Sequence, residues 1–313
     1  MIATIGEALV DMIELADGRF LPCLGGSVCN FSLGAARQGM ATSYLNPLSG
    51  DRFGDRFRAL LTGNGVVLAA PTASICPTSL AMVSLDQQGV PTYAFHREGV
   101  ADRDVTAASL IATLPAPLQL LHTGGLALVP QDAPLALEVM QAARTRGALV
   151  SVDANLRPMV VQDREQYVAG VKQVMRQADI VKLSDEDLDV LGWGDLDDVA
   201  LTAVLFDNAK LGLVAITRGK QGAALWTRHQ QVRLAAPADL AVVDTVGAGD
   251  SFHAGLLAYL LRSGQMNSAA DLAHLPADLL SAALRHAIAA ASINIMRSGC
   301  NPPTWEETAQ FVW

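Results

Sequence analysis

Short apolar runs alternate with segments of helical period along most of this chain. The runs "LQLLHTGG" (118–125), "ALVSVDANLR" (148–157), "ADIVKLSDE" (178–186) and "LGLVAITRGK" (211–220) each end in polar or glycine-rich residues. Around them, segments 134–146, 165–177 and 196–210 repeat apolar positions at three- and four-residue steps, the signature of amphipathic helices. Strands alternating with helices predict an α/β fold, a mostly parallel central sheet covered on both faces. Such sheets bind ligands beyond the carboxyl ends of their strands. On that topology His122, Asp153, Asn155, Arg157, Lys182, Ser184, Thr217 and Gly219 are candidate site residues.

The first hundred residues alternate differently. "EALVDMIEL-ADG-RFLPCL" and "SLAMVSL-DQQGVP-TYAFHR" predict two hairpins, with turns at Ala16–Gly18 and Asp86–Pro91. Their strands, at about 9–23 and 79–98, are expected to form a small separate sheet lying as a lid over the main one; edge strands of the main sheet are the alternative. No repeat or long linker divides the chain, so residues 1–313 are expected to form one domain.

Composition narrows the function classes. With 313 residues, 51% of them hydrophobic, the chain can bury a large core. A net charge of −9 argues against a general nucleic-acid binder, which needs clustered Lys and Arg, but leaves small anionic ligands open. The scattered Cys23, Cys29, Cys76 and Cys300 form no CxxC pair and suit a reduced cytoplasm. No secretory leader opens the sequence, and the apolar stretch "LSAALRHAIAAASINIM" is broken by Arg285, His286 and Asn294. A soluble cytoplasmic protein that binds neither nucleic acid nor membrane is the expectation.

The densest chemistry lies in "VDTVGAGDSF" (243–252). An apolar run precedes it and "GLLAYLL" follows at helical spacing, placing Gly247, Ala248 and Gly249 at a helix N-terminus. Unpaired amides there favour an anion, and small residues let it approach closely. A carboxylate beside a bound phosphate is unfavourable unless it accepts a proton, which makes Asp250 a candidate base. A plain helix start with an acidic first turn explains the same letters equally well. No Walker-type GxxxxGK[ST], no GxGxxG after the first strand, no HExxH and no GxSxG is present.

"DTVGAGDSFHAGLL" (244–257) closely resembles the C-terminal signature of the ribokinase-like (PfkB) carbohydrate kinases. "GGSVCNFSLGAARQG" (25–39) is similar to that family's sugar-binding segment, and "LSGDRFGDRF" (48–57) to its Gly-x-Asp-x-Phe-Gly stretch. "DANLRP" (153–158), "VKLSDEDL" (181–188) and "TRGKQGA" (217–223) follow in the family's order, so the resemblance spans residues 1–302. "GEALVD", "REGVAD" and "DANLR" look most like the fructokinase branch, while 2-keto-3-deoxygluconate kinases share much of this pattern.

The resemblance implies a three-layer α/β/α core and an ATP-dependent kinase acting on the primary hydroxyl of fructose. Asp250 would be the base and the Gly247, Ala248 and Gly249 amides the anion hole. Asp11, Gly25, Gly26, Asn30, Arg97 and Arg157 would contact sugar. Without the family, Asp11 fits an exposed strand face, Asn30 a helix cap and Arg97 a solvated arginine. On the nucleotide side the resemblance points to Ser184, Thr217, Gly219 and Gly222. Lys182 either neutralises phosphate or ends a strand beside Asp185. Asn294 either faces adenine or is a polar position on a core helix. Ser184 and Asp187 stand where the family has Asn and Glu, so Asp187 is expected to reach Mg²⁺ through water. Asp244, Thr245 and Gly299 are candidates for a monovalent cation such as K⁺. His96, His253 and Cys29 are expected in packing or at the surface. The resemblance further implies a homodimer through lid strands; a non-catalytic sugar sensor is the alternative of another class.

Overall fold

Residues in the predicted core strands alternate between two helical layers. Leu149, Ile180 and Leu213 pack into one layer, and their neighbours Val150, Val181 and Val214 into the other. Burial on both faces explains why these strands are apolar at nearly every letter. The computed structural model describes residues 1–85 and 91–313. In chain order the strands are β1 (Ile2–Ile5), β2 (Leu9–Glu14), β3 (Phe20–Gly25), β4 (Thr42–Tyr44), β5 (Val67–Leu68), β6 (Ser79–Leu85) and β7 (Pro91–His96). They continue as β8 (Leu120–Gly124), β9 (Leu149–Asp153), β10 (Ile180–Ser184), β11 (Leu213–Thr217), β12 (Ala223–Trp226) and β13 (Gln231–Leu234).

Among the described residues a nine-stranded sheet runs β13-β12-β11-β10-β9-β8-β1-β4-β5. Its pairings are parallel from β11 through to β5 and antiparallel at β12 and β13. One layer holds the helices Ser27–Arg37, Ala248–Arg262 and Ala277–Ile295; the other holds Ala133–Thr145, Arg164–Met175, Asp185–Leu191 and Asp198–Phe206. The pattern at 196–210 thus gives a shorter helix, opened by Asp197, whose Oδ1 accepts from Ala200 N at 2.8 Å. Among the described residues no helix is long and apolar enough to cross a membrane.

A second sheet of four strands has the order β3-β2-β6-β7. Both expected hairpins are present as antiparallel pairs, and β2 joins β6 in parallel. The first turn closes through Leu15 N to Arg19 O at 2.8 Å, with Gly18 at φ +79°. The second expected turn, Asp86–Pro91, lies at 86–90 outside the described residues.

Close approach of two helices positions the site. A side-chain carbon at Gly34 would come within 2.9 Å of the Ala254 methyl, so the helix Ser27–Arg37 lies directly against Ala248–Arg262. Their first turns therefore meet.

Candidate active site

Asp250, in the first turn of its helix and 7% exposed, stands where these first turns meet. Ser27 Oγ donates to its Oδ1 at 2.7 Å, and Asn30 Nδ2 donates to its Oδ2 at 2.9 Å. Ser27 and Asn30 lie three apart on one helical face, so both aim at the same carboxylate. Burial lifts the Asp250 carboxyl above its ordinary range, opposed by those two donors and by Lys182 and Arg157.

The amides ahead of Asp250 are set by Gly247, the N-cap, at φ +73°. A side chain there would overlap Cys300 Sγ and come within 2.8 Å of Cys300 Cβ. Ala248 N–H donates to Thr245 O at 3.2 Å, which engages one of the three amides assigned to the anion hole. The following amides of the first turn have no acceptor within the helix by geometry. Lys182 supports this turn from below: its Nζ would lie 3.1 Å from a carbon at Gly249. The Lys182 ammonium is paired with Asp153 at 2.9 and 3.0 Å, not with Asp185, and is 4% exposed. Burial works against its charge, but the Asp153, Asp187 and Asp250 carboxylates hold it above its usual range.

Gly25 and Gly26 bring backbone against both neighbours. A carbon at Gly25 would sit 2.6 Å from Asp11 Oδ2, and one at Gly26, φ +101°, 2.6 Å from Glu7 O. Asp11 is half-buried, and burial raises its carboxyl to about 6 against the pull of Arg157. Arg157 is exposed, its Nη1 donating to Leu156 O at 3.0 Å, and it acts electrostatically on both Asp11 and Asp250. Asp11, Asn30, Arg157 and the two glycines are therefore drawn together around Asp250.

Other candidate residues make contacts of their own. Arg97 turns away from this cluster into ion pairs with Asp102 at 3.1 Å and Asp132 at 3.2 Å, its side chain 10% exposed. Asp187 is buried and spends both oxygens on amides: Oδ2 accepts from Ser184 N at 2.8 Å and Oδ1 from Leu156 N at 2.7 Å. Ser184 Oγ accepts in turn from Asp187 N, completing a capping box. Ser184 and Asp187 start a helix here, and each Asp187 oxygen holds one backbone amide. Asn294, fully buried, donates to Val246 O at 2.8 Å and accepts from Asn301 N at 2.9 Å, pinning the two loops beside Gly247. Gly222 is buried in the β11–β12 turn against Leu234 O, whereas Gly219, φ +49°, has open space beside it and Thr217 is half-buried. His122 lies inside β8, stacked 3.7 Å from the Phe31 ring, and burial lowers it to about 3. Ser151 Oγ links it to buried His253 at 2.8 Å. Cys29 is buried and His96 is exposed.

Asp244 Oδ1 accepts from Val246 N at 3.0 Å and its Oδ2 from Gly299 N at 2.8 Å, so Asp244, Thr245 and Gly299 share one corner. Among the described residues no group of three His, Cys, Asp or Glu side chains could hold a metal ion. Ser27 and Glu7 are the contributors that sequence reasoning missed. Ser27 was detectable, since it follows the glycine pair and precedes Asn30 by three.

A buried carboxylate beside the first-turn amides of a helix can accept a proton next to a bound anion. The chain is similar to known sugar kinases. Residues 1–307 match the model of the pfkB family carbohydrate kinases. A fructokinase of Rhizobium leguminosarum bv. trifolii is 35% identical over 265 residues, covering 83% of this chain and 79% of that protein. A Salmonella typhimurium fructokinase is 33% identical, covering 83% and 84%. The crystal structure of Xylella fastidiosa fructokinase with bound ATP superposes with a TM-score of 0.85 at 28% identity, over 98% and 96% of the two chains. With its ribokinase-like α/β fold and smaller four-stranded sheet, this chain belongs to the pfkB family of carbohydrate kinases, phosphotransferases that use ATP and act on a sugar.

Proposed function

We propose that the protein transfers the γ-phosphoryl group of ATP to the 6-hydroxyl of fructose, giving fructose 6-phosphate and ADP. The observation that carries this reading is the buried Asp250 carboxylate held by Ser27 and Asn30 beside the first-turn amides. In the step, the sugar O–H proton passes to Asp250, the freed oxygen bonds to the γ-phosphorus, and the bond from that phosphorus to the ADP oxygen breaks. Most of the catalysis is positioning and charge stabilisation. The amides of Gly249 and Asp250 take charge on the transferring group, joined by Ala248 when Thr245 O releases it. Asp11, Asn30, Arg157 and the Gly25–Gly26 backbone bind the sugar; Thr217 and Gly219, at the open end of β11, meet the nucleotide.

Mg²⁺ bound with the nucleotide would neutralise phosphate charge. Asp187, at the start of its helix, would reach that ion through water. The corner of Asp244, Thr245 and Gly299 offers oxygen atoms for K⁺. The four free thiols accord with a reduced cytoplasm. The small sheet serves as a lid over the sugar. Its edge strands β3 and β7 carry half-exposed Leu21 and Tyr93, which suits pairing between two copies. Light scattering should give twice the chain mass; a monomer at assay concentration would exclude that arrangement.

A sugar acid such as 2-keto-3-deoxygluconate needs a free cation for its carboxylate. Arg97 is consumed by Asp102 and Asp132, which leaves only Arg157 of the two arginines considered and favours the neutral sugar. With ATP and Mg²⁺, initial rates over hexoses, ribose and sugar acids should give fructose the highest kcat/KM, by about tenfold or more over the sugar acid. Rapid sugar-acid turnover with none on fructose would reverse the assignment. Binding of fructose with no turnover on any acceptor would favour a sensor.

A further inference from the structure

The helix Ser27–Arg37 begins without the usual capping chemistry. Its N-cap is Gly26, no side chain caps it locally, and its first turn contains no acidic residue. The missing anion comes from the loop between β1 and β2: Glu7 Oε1 accepts from Ser27 N at 3.0 Å. Three glycines keep this contact tight. A carbon at Gly26 would strike Glu7 O, one at Gly125 would lie 2.8 Å from Glu7 Oε1, and one at Gly6 would overlap Val28. The same first turn carries Ser27 and Asn30, the two donors to Asp250.

We propose that Glu7 is a positioning residue for the phosphoryl transfer, capping the helix that aims Ser27 and Asn30 at Asp250. This deepens the assignment of Asp250 as base and rests on it. The geometry makes a relay of contacts: Glu7 fixes the Ser27 backbone, and Ser27 Oγ with Asn30 Nδ2 fixes both oxygens of the base. An anion at a helix N-terminus stabilises the turn it faces. The second oxygen, Glu7 Oε2, is buried without a partner in the protein. Glu7 lines a polar cavity of about 210 Å³ that also reaches Asn46, Arg97, Asp102 and Asp132. One more buried polar atom on the cavity residues, Arg97 Nε, is also left without a hydrogen-bond partner. The cavity therefore keeps one face of Glu7 in polar surroundings while the other is committed to the helix.

The charged and titratable groups around Glu7 are Arg97 and Asp102 across the cavity, with Asp132 and Arg103 beside them, and Cys29, Tyr44 and Tyr167 as further neighbours in its field. Burial raises the Glu7 carboxyl to about 7, with Arg97 pulling the other way.

Three substitutions separate positioning from stability. In E7A the cap is lost and the donors to Asp250 loosen. Turnover per folded molecule should fall by about tenfold to a hundredfold, with KM for ATP little changed. Because those donors lower the Asp250 carboxyl, their loss moves the acid limb of kcat to higher pH, by roughly half a unit. E7Q, whose amide oxygen can still accept from Ser27 N, should recover most of the loss and return the limb toward its wild-type position. E7D keeps the charge but is one methylene too short to reach Ser27, so it should behave like E7A, and it carries the test if E7A does not fold. Folded E7A or E7D with wild-type kcat and an unmoved acid limb would overturn this inference. D250N assayed alongside keeps the two assignments apart: an active D250N sinks the base, whereas an inactive D250N with wild-type-like E7A and E7D sinks Glu7 alone.

Discussion

Replacing Asp250 with asparagine should cut turnover by about a thousandfold while leaving fructose affinity within a few-fold of wild type. The magnitude is the middle of the range for removing a general base, about 4 kcal/mol of transition-state stabilisation. The substitution is nearly isosteric, and the new amide oxygen can still accept from Ser27 Oγ or Asn30 Nδ2, so the first turns should stay together. The same carboxylate shapes the pH dependence. Burial raises its pKa in the folded protein, so the catalytic form is lost as pH falls through that raised value, and kcat should fall with it.

Stability moves the other way. Between the unfolded and the raised folded pKa the native state binds more protons, so stability declines as pH rises through that window and the deficit persists above it. Removing the charge relieves this, and D250N should melt no lower than wild type at neutral pH. Initial-rate assays, fructose titration and thermal melts check the three parts. Wild-type turnover in D250N would end the base assignment.

Gly247→Ala should have the next largest effect, a loss of about a hundredfold or more in kcat. Two costs combine. An alanine at φ +73° is strained by about 1 kcal/mol, and its methyl group has no room beside Cys300. The loop carrying Cys300 must move, and with it Asn301, which Asn294 ties to Val246 O and so to the residue before the anion hole. Displacing first-turn amides from a developing charge costs about 10²- to 10³-fold per donor. The double variant G247A/C300G removes the collision but not the backbone strain, so it should recover part of the activity. Steady-state kinetics on both variants test this; unchanged kcat in G247A would show that these amides do not meet the transferring group.

The architecture was legible because the core strands are buried on both sides, whereas the hairpin strands become exposed toward their turns. Runs such as "LVSVD" therefore carry their place in the sheet in the letters. The glycines of 247–249 and Asp250 were legible for a similar reason: small residues and an acid before a helical run have few local uses.

What the sequence concealed depends on partners distant in the chain. Arg97 carries no local mark of its ion pair with Asp132, so it resembled a residue free to meet substrate. Asn294 bonds to Val246 and Asn301, partners that no local pattern announces. Ser184 and Asp187 did carry a local signal, the S-x-x-D spacing of a capping box, which the family position outweighed. Glu7 left none, because a helix capped from another segment shows only an absence at its own start.

The product made from fructose tests the proposed transfer most directly. Fructose, ATP and Mg²⁺ incubated with the enzyme and followed by ³¹P and ¹³C nuclear magnetic resonance should yield ADP and a single sugar phosphate, with the phosphate on O6. Phosphate on any other oxygen, or no fructose phosphate alongside turnover of another sugar, would contradict it.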